Sequence, residues 1–258
     1  MKSSARSIPD NNLAYPVKVV LGNGASGSAV FVKTESGIFL ATAKHVFFDR
    51  DTKKRHSDTA TLTSFSRDLS AINRLSLDFA ALESNGSVAA HHTHDVAVVK
   101  IGLHTTDQRW KPVAGARIVS DAADLVYISG KESTKEYADV LIANDVFLFG
   151  YPSSIGMKHL PQLDYDRPLL RKGIIAGKND SSKTLILDCP VYHGNSGGPV
   201  IEVAPPYLRL VGVVSEFVPV AETWLNTMHK YTNTTITNSG YSIAEPVDFI
   251  FELLEHIG

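Results

Sequence analysis

Short segments rich in β-forming residues, separated by turns, run along most of this chain. Val, Ile, Leu and Phe crowd eight such segments, and glycine-containing and Pro-Pro turns lie between them. The segments are residues 29–33, 38–42, 95–101, 145–150, 169–175, 184–191, 199–203 and 208–215. The sequence shows no regular alternation of strand and helix patterns, which disfavours a parallel α/β sheet. The pattern predicts an all-β barrel or sandwich.

One helix is expected at the C-terminal end. Pro246 suits the first helical position, and apolar residues from Val247 to Ile257 repeat with helical spacing. We expect this helix to pack on the second half of the β structure.

Length and charge narrow the class of protein. A chain of 258 residues can bury two small β-barrels, and its formal net charge of -2 offers no basic field for nucleic acid or an anionic membrane. Cys189 is the single cysteine, so no intrachain disulfide is expected. The first 21 residues lack the apolar core of a signal peptide. These features predict a cytoplasmic protein, or an extracytoplasmic one only if a leader has been removed.

The strongest chemical signal is a glycine-dense turn that holds one serine. Residues 193–199 read HGNSGGP and run directly into an apolar strand. Such a turn lets backbone N–H groups converge near the hydroxyl of Ser196. For acyl transfer, the N–H groups of Gly194 and Ser196, with Asn195 between them, would form an oxyanion hole. Taken alone, the segment could also be a plain glycine-rich hairpin turn.

Two further segments supply the residue types that activate a serine. His45 ends a predicted strand, and the pKa of histidine suits taking and returning a proton near neutral pH. Asp95 begins an apolar strand, where a buried carboxylate would accept the imidazole N–H and fix its tautomer. Each residue alone could be structural. In the order His, Asp, Ser they indicate a catalytic triad.

These segments resemble the three signature blocks of the chymotrypsin-like, or trypsin-like, serine peptidases. The matching blocks are residues 40–45, 95–101 and 194–200, and segments 147–152, 171–178 and 210–215 look like second-barrel strands of the family. The resemblance covers roughly residues 17–245. It is strongest to the disulfide-free bacterial branch, similar to the HtrA-type peptidases, although no room is left for a PDZ domain after Ile257.

The resemblance implies an all-β fold of two six-stranded antiparallel β-barrels with a C-terminal α-helix. It divides one peptidase domain into an N-terminal extension (1–16), a first barrel carrying His45 and Asp95 (17–115), an inter-barrel connection (116–145), a second barrel carrying Ser196 (146–245) and the helix (246–258).

The function implied is that of a serine endopeptidase acting on polypeptides without cofactor or metal. Ser196 would attack the peptide carbonyl, His45 would transfer the proton, and Asp95 would orient His45. The family pattern places substrate against one strand edge and one pocket wall, formed by Ser215, Glu216 and Phe217 and by Pro190, Val191, Tyr192 and His193.

Two positions depart from the secreted digestive members of that family. Pro190 stands where an aspartate would select Lys or Arg, so a strict preference for basic residues is not expected. Asn195 stands where an aspartate would pair with a new N-terminal ammonium, so no zymogen switch is expected. Control would then require loop ordering or an activating or regulatory protein partner.

Other interpretations use the same residues. The chain could be a latent or inactive peptidase-fold module that binds peptides and needs a partner for activity. Residues 194–198 also satisfy the G-x-S-x-G pattern of esterases and lipases, but that motif precedes a helix, whereas Pro199 opens a β-rich stretch. His91, His92 and His94 could form a metal site, although no matching carboxylate or cysteine spacing supports one.

Overall fold

The computed structural model describes residue 8 and residues 11–104, 110–120, 124–153, 160–204 and 207–257, with the side chains of residues 204 and 207 left out. Ten strands of the described residues precede residue 130: β1 (Pro16–Leu21), β2 (Ser26–Thr34), β3 (Gly37–Thr42), β4 (Thr59–Phe65), β5 (Ile72–Asp78), β6 (Val88–Ala90), β7 (Ala97–His104), β8 (Trp110–Pro112), β9 (Ala116–Ile118) and β10 (Ile128–Ser129). Six follow: β11 (Asp145–Gly150), β12 (Leu169–Asn179), β13 (Thr184–Asp188), β14 (Pro199–Ala204), β15 (Tyr207–Asn226) and β16 (Tyr231–Pro246). The α-helices are α1 (Lys44–Phe47), α2 (Phe79–Ser84) and α3 (Val247–His256).

The first sheet follows the order β6-β7-β3-β2-β1-β4-β5-β9, with β8 beside β7 and β10 beside β2. Its body consists of the six longer strands β7, β3, β2, β1, β4 and β5, which pair antiparallel. Inward-facing side chains such as Phe31, Leu40, Leu62 and Leu77 are buried in one cluster. Their burial stabilises this sheet, since each large apolar side chain removed from water contributes about 1.5–3 kcal/mol.

The second sheet is a closed antiparallel barrel of six strands, in the order β11-β12-β13-β16-β15-β14. Its core is aliphatic and includes Leu148, Ile175, Leu187 and Val211. Alternation of buried and more exposed residues along β13 matches the period of two that a half-buried strand requires.

A third apolar cluster joins the two sheets and the C-terminal helix. Phe39 of the first sheet and Phe149 of the second lie in it together with Val247, Ile250 and Leu254 of α3. These three helix positions share one face because they are three or four residues apart. The predicted C-terminal helix is therefore confirmed, but it begins at Val247, and Pro246 is its N-cap residue instead of its first helical residue.

The predicted fold class is confirmed, and all eight sequence segments contribute to strands. The first sheet differs from a six-stranded barrel because four strands of two or three residues extend it, namely β6, β8, β9 and β10. Two of these, β9 and β10, lie within residues 116–145, which the sequence assigned to the inter-barrel connection. Among the described residues, no helix is long and apolar enough to cross a membrane.

Candidate active site

Strand pairing brings His45 and Asp95 together although 50 residues separate them. His45 lies in α1, the single turn that follows β3, and Asp95 precedes β7. Because β3 and β7 pair with Thr42 opposite Ala97, the residues just beyond the pair meet at the same end of the sheet. The register of the β3–β7 strand pair, and not sequence order alone, brings these two side chains together.

The His45–Asp95 pair is doubly connected. Nδ1 of His45 lies 2.6 Å from Oδ2 of Asp95, and the backbone N–H of His45 donates to Oδ1 at 2.9 Å. Burial alone would raise the pKa of Asp95, but the hydrogen bond and charge of His45 and the hydroxyl of Ser215 outweigh it and lower that pKa. Asp95 is therefore an anion at neutral pH. With Nδ1 donating to it, Nε2 of His45 is left as the acceptor.

Ser215 links the nucleophile candidate to this pair. Its hydroxyl donates to Oδ2 of Asp95 at 2.6 Å, and its carbonyl oxygen accepts from Oγ of Ser196 at 3.1 Å. No hydrogen bond joins Ser196 to His45 in the described part of the chain. The hydroxyl of Ser196 must therefore rotate away from Ser215 before His45 can accept its proton.

The glycine-dense turn has the backbone conformation that its sequence indicates. Gly194 and Gly197 have φ values of 95° and 82°, which side-chain-bearing residues rarely adopt. A Cβ at Gly194 would collide with the carbonyl oxygen of Tyr151, and one at Gly197 with Oγ1 of Thr42. Both positions therefore require glycine, for conformation and for space.

The N–H groups of Gly194 and Ser196 find no acceptor within the described residues. The carbonyl oxygen of His193, which could otherwise fill the hole, accepts from the backbone N–H of Ser153 at 2.9 Å and from its hydroxyl at 3.3 Å. Asn195 differs from its neighbours because its N–H already donates to the carbonyl oxygen of Tyr192. Among the described residues, the donors of two of the three candidate oxyanion residues thus have no acceptor.

Ser28 of the first sheet holds this loop of the second barrel. Its buried hydroxyl donates to the carbonyl oxygen of Gly194 at 2.7 Å and accepts from the N–H of Tyr151 at 3.0 Å. Its backbone N–H donates to the carbonyl oxygen of Ser196 at 2.8 Å. The sequence reasoning missed Ser28, for which the only signal was the glycine- and serine-rich segment 24–28, where β2 begins.

A salt bridge crosses from the loop after α1 to the strand edge of β15. Nη1 of Arg50 lies 2.6 Å from Oε2 of Glu216, and Nη2 lies 3.3 Å from Oδ2 of Asp95 and 3.2 Å from Nδ1 of His45. Partial burial opposes the charge of Arg50, but the bond to Glu216 and the charge of Asp95 outweigh it and raise its pKa. Arg50 lies in a stretch without clear sequence signals, so it was not predicted.

Asp95 is supported from behind by the end of β16. Glu245, buried at 6% exposure, accepts from the N–H of Asp95 at 3.2 Å and lies 3.0 Å from Nδ1 of His94. Burial raises the pKa of Glu245, although the N–H of Asp95 and the charge of His94 act in the opposite direction. The ring of His94 stacks on Phe249 of α3 with a centroid distance of 3.4 Å.

The three neighbouring histidines make structural contacts. Nε2 of His91 lies 3.2 Å from Oε2 of Glu252, and burial lowers the pKa of His91. His92 stacks on the ring of His91. Within the described ranges, no three His, Cys, Asp or Glu side chains are placed to hold a metal ion. The geometry gives the alternative of a metal site no support.

The predicted pocket residues separate into two groups. Val191 is buried in the barrel core, while Tyr192 and His193 are exposed, and the ring of His193 meets Phe217 edge-on at 6.0 Å. Pro190 is half-buried between them and Cys189, whose thiol pKa burial raises to about 11. His193 and Phe217 therefore form an aromatic wall close to Ser196, whereas the side chain of Val191 serves packing.

Comparison with known proteins agrees with the resemblance found in the sequence. A family model described as a trypsin-like peptidase domain matches residues 27–213. No curated protein matches the chain. The serine endoprotease from Yersinia pestis has a TM-score of 0.52 at 16% identity, covering 95% of this chain and 63% of that one.

Two other solved structures share the fold. The HtrA-type protease AlgW with a tripeptide has a TM-score of 0.53 at 16% identity, covering 95% of this chain and 60% of that one. Human heparin binding protein has a TM-score of 0.58 at 10% identity, covering 99% of this chain and 97% of that one. The chain thus spans less than two thirds of the length of the Yersinia and AlgW chains. At these identities the likeness concerns the fold.

Proposed function

The chain belongs to the trypsin-like peptidase family, and we propose on that basis that it is a serine endopeptidase that hydrolyses polypeptides through an acyl-enzyme. The observation that carries the proposal is the contact of 2.6 Å between Nδ1 of His45 and Oδ2 of Asp95, beside a loop with two unpaired N–H donors among the described residues. The reactive hydroxyl is that of Ser196.

The chemistry begins when the hydroxyl of Ser196 turns from the carbonyl of Ser215 to Nε2 of His45. Oγ attacks the peptide carbonyl carbon while its proton passes to Nε2, and the carboxylate of Asp95 stabilises the imidazolium. The negative oxygen of the tetrahedral intermediate accepts from the N–H groups of Gly194 and Ser196. Collapse breaks the C–N bond, and His45 returns the proton to the leaving amine.

Deacylation repeats these steps with water as the nucleophile. His45 takes a proton from the water as its oxygen attacks the acyl carbon, and then returns it to Oγ of Ser196. No group outside this chain, the substrate and water is needed to balance the reaction.

Substrate binds as an added strand along Ser215, Glu216 and Phe217. Once Ser196 releases it, the carbonyl oxygen of Ser215 is free to accept a substrate N–H. Tyr192, His193 and Phe217 line the entrance to the primary pocket. The position where an acidic residue would select Lys or Arg is occupied by Pro190. We therefore expect no strict preference for cleavage after Lys or Arg.

A second candidate is a latent peptidase that requires a partner. Two observations favour it: the hydroxyl of Ser196 donates to Ser215, and the Arg50–Glu216 bridge lies across the strand edge that substrate would use. In this form of the proposal, a regulatory protein displaces the bridge before peptides bind. Chemical reactivity at Ser196 would then exceed peptide turnover.

Labelling with a fluorophosphonate probe tests the proposal. We expect wild type to be labelled and Ser196→Ala and His45→Ala not to be. Both variants should also lose turnover by on the order of 10⁶-fold, because these residues act as a unit. Ser36→Ala, which removes an exposed serine from the turn between β2 and β3, is the matched control and should label like wild type.

A peptide-library digest read by mass spectrometry completes the test. Cleaved peptides together with labelling support the active enzyme and give its pocket preference. Labelling without cleavage supports the latent enzyme. Folded wild type that is neither labelled nor active would contradict both candidates and leave a peptide-binding module.

A further inference from the structure

Strands β15 and β16 continue well beyond the second barrel as a two-stranded ribbon. Eight residue pairs, from Pro219 opposite Asn238 to Asn226 opposite Tyr231, form this ribbon, which we call the arm (residues 219–238). The barrel partners end before it: β14 pairs with β15 only as far as Val213, and β13 pairs with β16 only as far as Tyr241. Both edges of the arm are consequently without a neighbouring strand among the described residues.

The arm exposes an unusual amount of apolar surface. Large apolar side chains stand out on both of its faces and at its tip: Trp224 at 66% exposure, Leu225 at 68%, Met228 at 83%, Tyr231 at 56% and Ile236 at 68%. A two-stranded ribbon is at best marginally stable alone in water. Several large apolar side chains exposed on one short ribbon indicate an interaction site. The arm is therefore built for a partner.

The two edges of the arm differ in chemistry. On β15, Pro219 lacks an N–H and Glu222 carries a charge, and these are the devices that keep an edge strand from pairing. On β16, residues 231–238 read YTNTTITN, with neither charge nor proline. The edge of β16 is thus the unprotected one. A substrate strand would instead continue from Ser215–Phe217 onto the β15 edge, which Pro219 interrupts.

We infer that the arm joins two copies of this chain into a dimer through antiparallel pairing of their β16 edges. A strand that pairs antiparallel with its own copy forms a closed two-fold contact. In such a contact, uncharged threonine and asparagine side chains lie next to each other without repulsion.

Charge and length fit a second copy. The arm carries Glu222 and Lys230, so two arms bear no net like charge when His229 is neutral. An eight-residue strand spans about 27 Å, which allows a continuous four-stranded sheet. In that sheet, Ile236 on one face and Tyr231 on the other lie on the interface strand, whereas Leu225 and Trp224 lie on β15, one strand further from the partner.

Sedimentation velocity on full-length Ser196→Ala protein, over a range of concentrations, tests this dimer without self-digestion. We expect a species of twice the chain mass. The double variant Thr232→Lys/Thr234→Lys on the β16 edge should raise the dimer dissociation constant about 100-fold or more, because like charges placed together at an interface are strongly disfavoured. The matched control, Ala221→Lys/Thr223→Lys, adds the same charge to the same face on β15 and should leave the dimer intact.

All four substituted residues are exposed, so near-UV circular dichroism and the melting temperature should match those of the parent. The proposal is overturned if Ser196→Ala protein with an unaltered arm is monomeric at every concentration. Equal dissociation by both double variants overturns the β16 edge, and dissociation by neither places the interface elsewhere. If the protein is monomeric and the same arm variants, made with Ser196 intact, weaken cleavage of an unfolded substrate, the arm belongs to substrate binding instead. Since sedimentation does not depend on catalysis, the dimer and the proposed function fail or succeed separately.

Discussion

Arg50 and Glu216 form a salt bridge between two segments at the edge of the candidate site. Their salt bridge connects the loop after α1 to β15 and lies directly beside His45 and Asp95. Both side chains are about half exposed, at 51% and 45%, and exposed ion pairs contribute only about 0–1 kcal/mol to stability. The bridge therefore matters for the geometry of the cleft more than for folding.

We expect Arg50→Ala to lower the KM for peptide substrates by up to about 5-fold, since substrate no longer has to displace a weak ion pair. Glu216→Ala should act similarly. Added salt should lower the KM of wild type toward that of the variants while changing theirs little, because screening weakens the same bridge. Steady-state kinetics at several salt concentrations measure this.

Lys54→Ala removes an exposed positive charge from the same loop and is the control, which should behave like wild type. A KM that rises in Arg50→Ala would show instead that Arg50 contacts substrate.

At the scale of elements, the end of β16 and α3 together support Asp95. Glu245 at the end of β16 accepts the N–H of Asp95, and Phe249 of α3 stacks against His94, which also contacts Glu245. The C-terminal helix thus stands behind the candidate site even though none of its side chains enters it. Packing of α3 and orientation of the carboxylate are consequently coupled.

This support predicts a pH dependence of stability. Because burial raises the pKa of Glu245, the folded state binds its proton more tightly than the unfolded state. The contribution of Glu245 to stability should therefore fall as pH rises from the ordinary glutamate pKa through the raised one. Glu245→Gln keeps an oxygen acceptor for the N–H of Asp95 but cannot ionise. We expect the unfolding free energy of Glu245→Gln to rise relative to that of wild type as pH rises between these two pKa values.

Urea unfolding of both proteins at a series of pH values gives the difference. Glu245→Ala, which removes the acceptor, should be less stable than Glu245→Gln at every pH. A difference in unfolding free energy between the Glu245→Gln variant and wild type that does not change with pH would contradict a raised pKa for Glu245.

At the scale of the whole molecule, the site depends on how the two sheets are joined. His45 and Asp95 belong to the first sheet, and Ser196 belongs to the second barrel. The apolar cluster containing Phe39 and Phe149 holds the sheets together, and Ser28 spans the same boundary with three hydrogen bonds. Movement of one sheet against the other would alter the loop that holds Gly194 and Ser196.

Ser28→Ala tests this connection. It leaves the carbonyl oxygen of Gly194 and the N–H of Tyr151 without their buried partner, which should cost about 1–3 kcal/mol of unfolding free energy per group. Because Gly194 loses its tether, we also expect kcat to fall more than KM changes. Ser26→Ala, in the same strand, is the control. Reduced stability with unchanged kcat would limit Ser28 to a structural role.

Local sequence patterns predict a large part of the secondary structure of this protein. The eight β-rich segments, the C-terminal helix and the serine turn are each defined by adjacent residues, so they were predicted correctly without tertiary information. The elements within residues 47–93, namely β4, β5, α2 and β6, were not predicted. Their strands carry many Thr, Ser and Asn residues, and their apolar faces become evident only when paired.

Local patterns and motifs suffice to predict the fold class, the family and the order of the segments that hold His45, Asp95 and Ser196. Tertiary structure alone decided the contacts of Ser28, Arg50 and Glu245, whose partners Gly194, Glu216 and Asp95 lie 166, 166 and 150 residues away along the chain. It also decided that β15 and β16 leave the barrel as an arm. The physical reason is that hydrogen bonds and ion pairs between distant residues depend on strand register and on the packing of the two sheets, neither of which any single segment encodes.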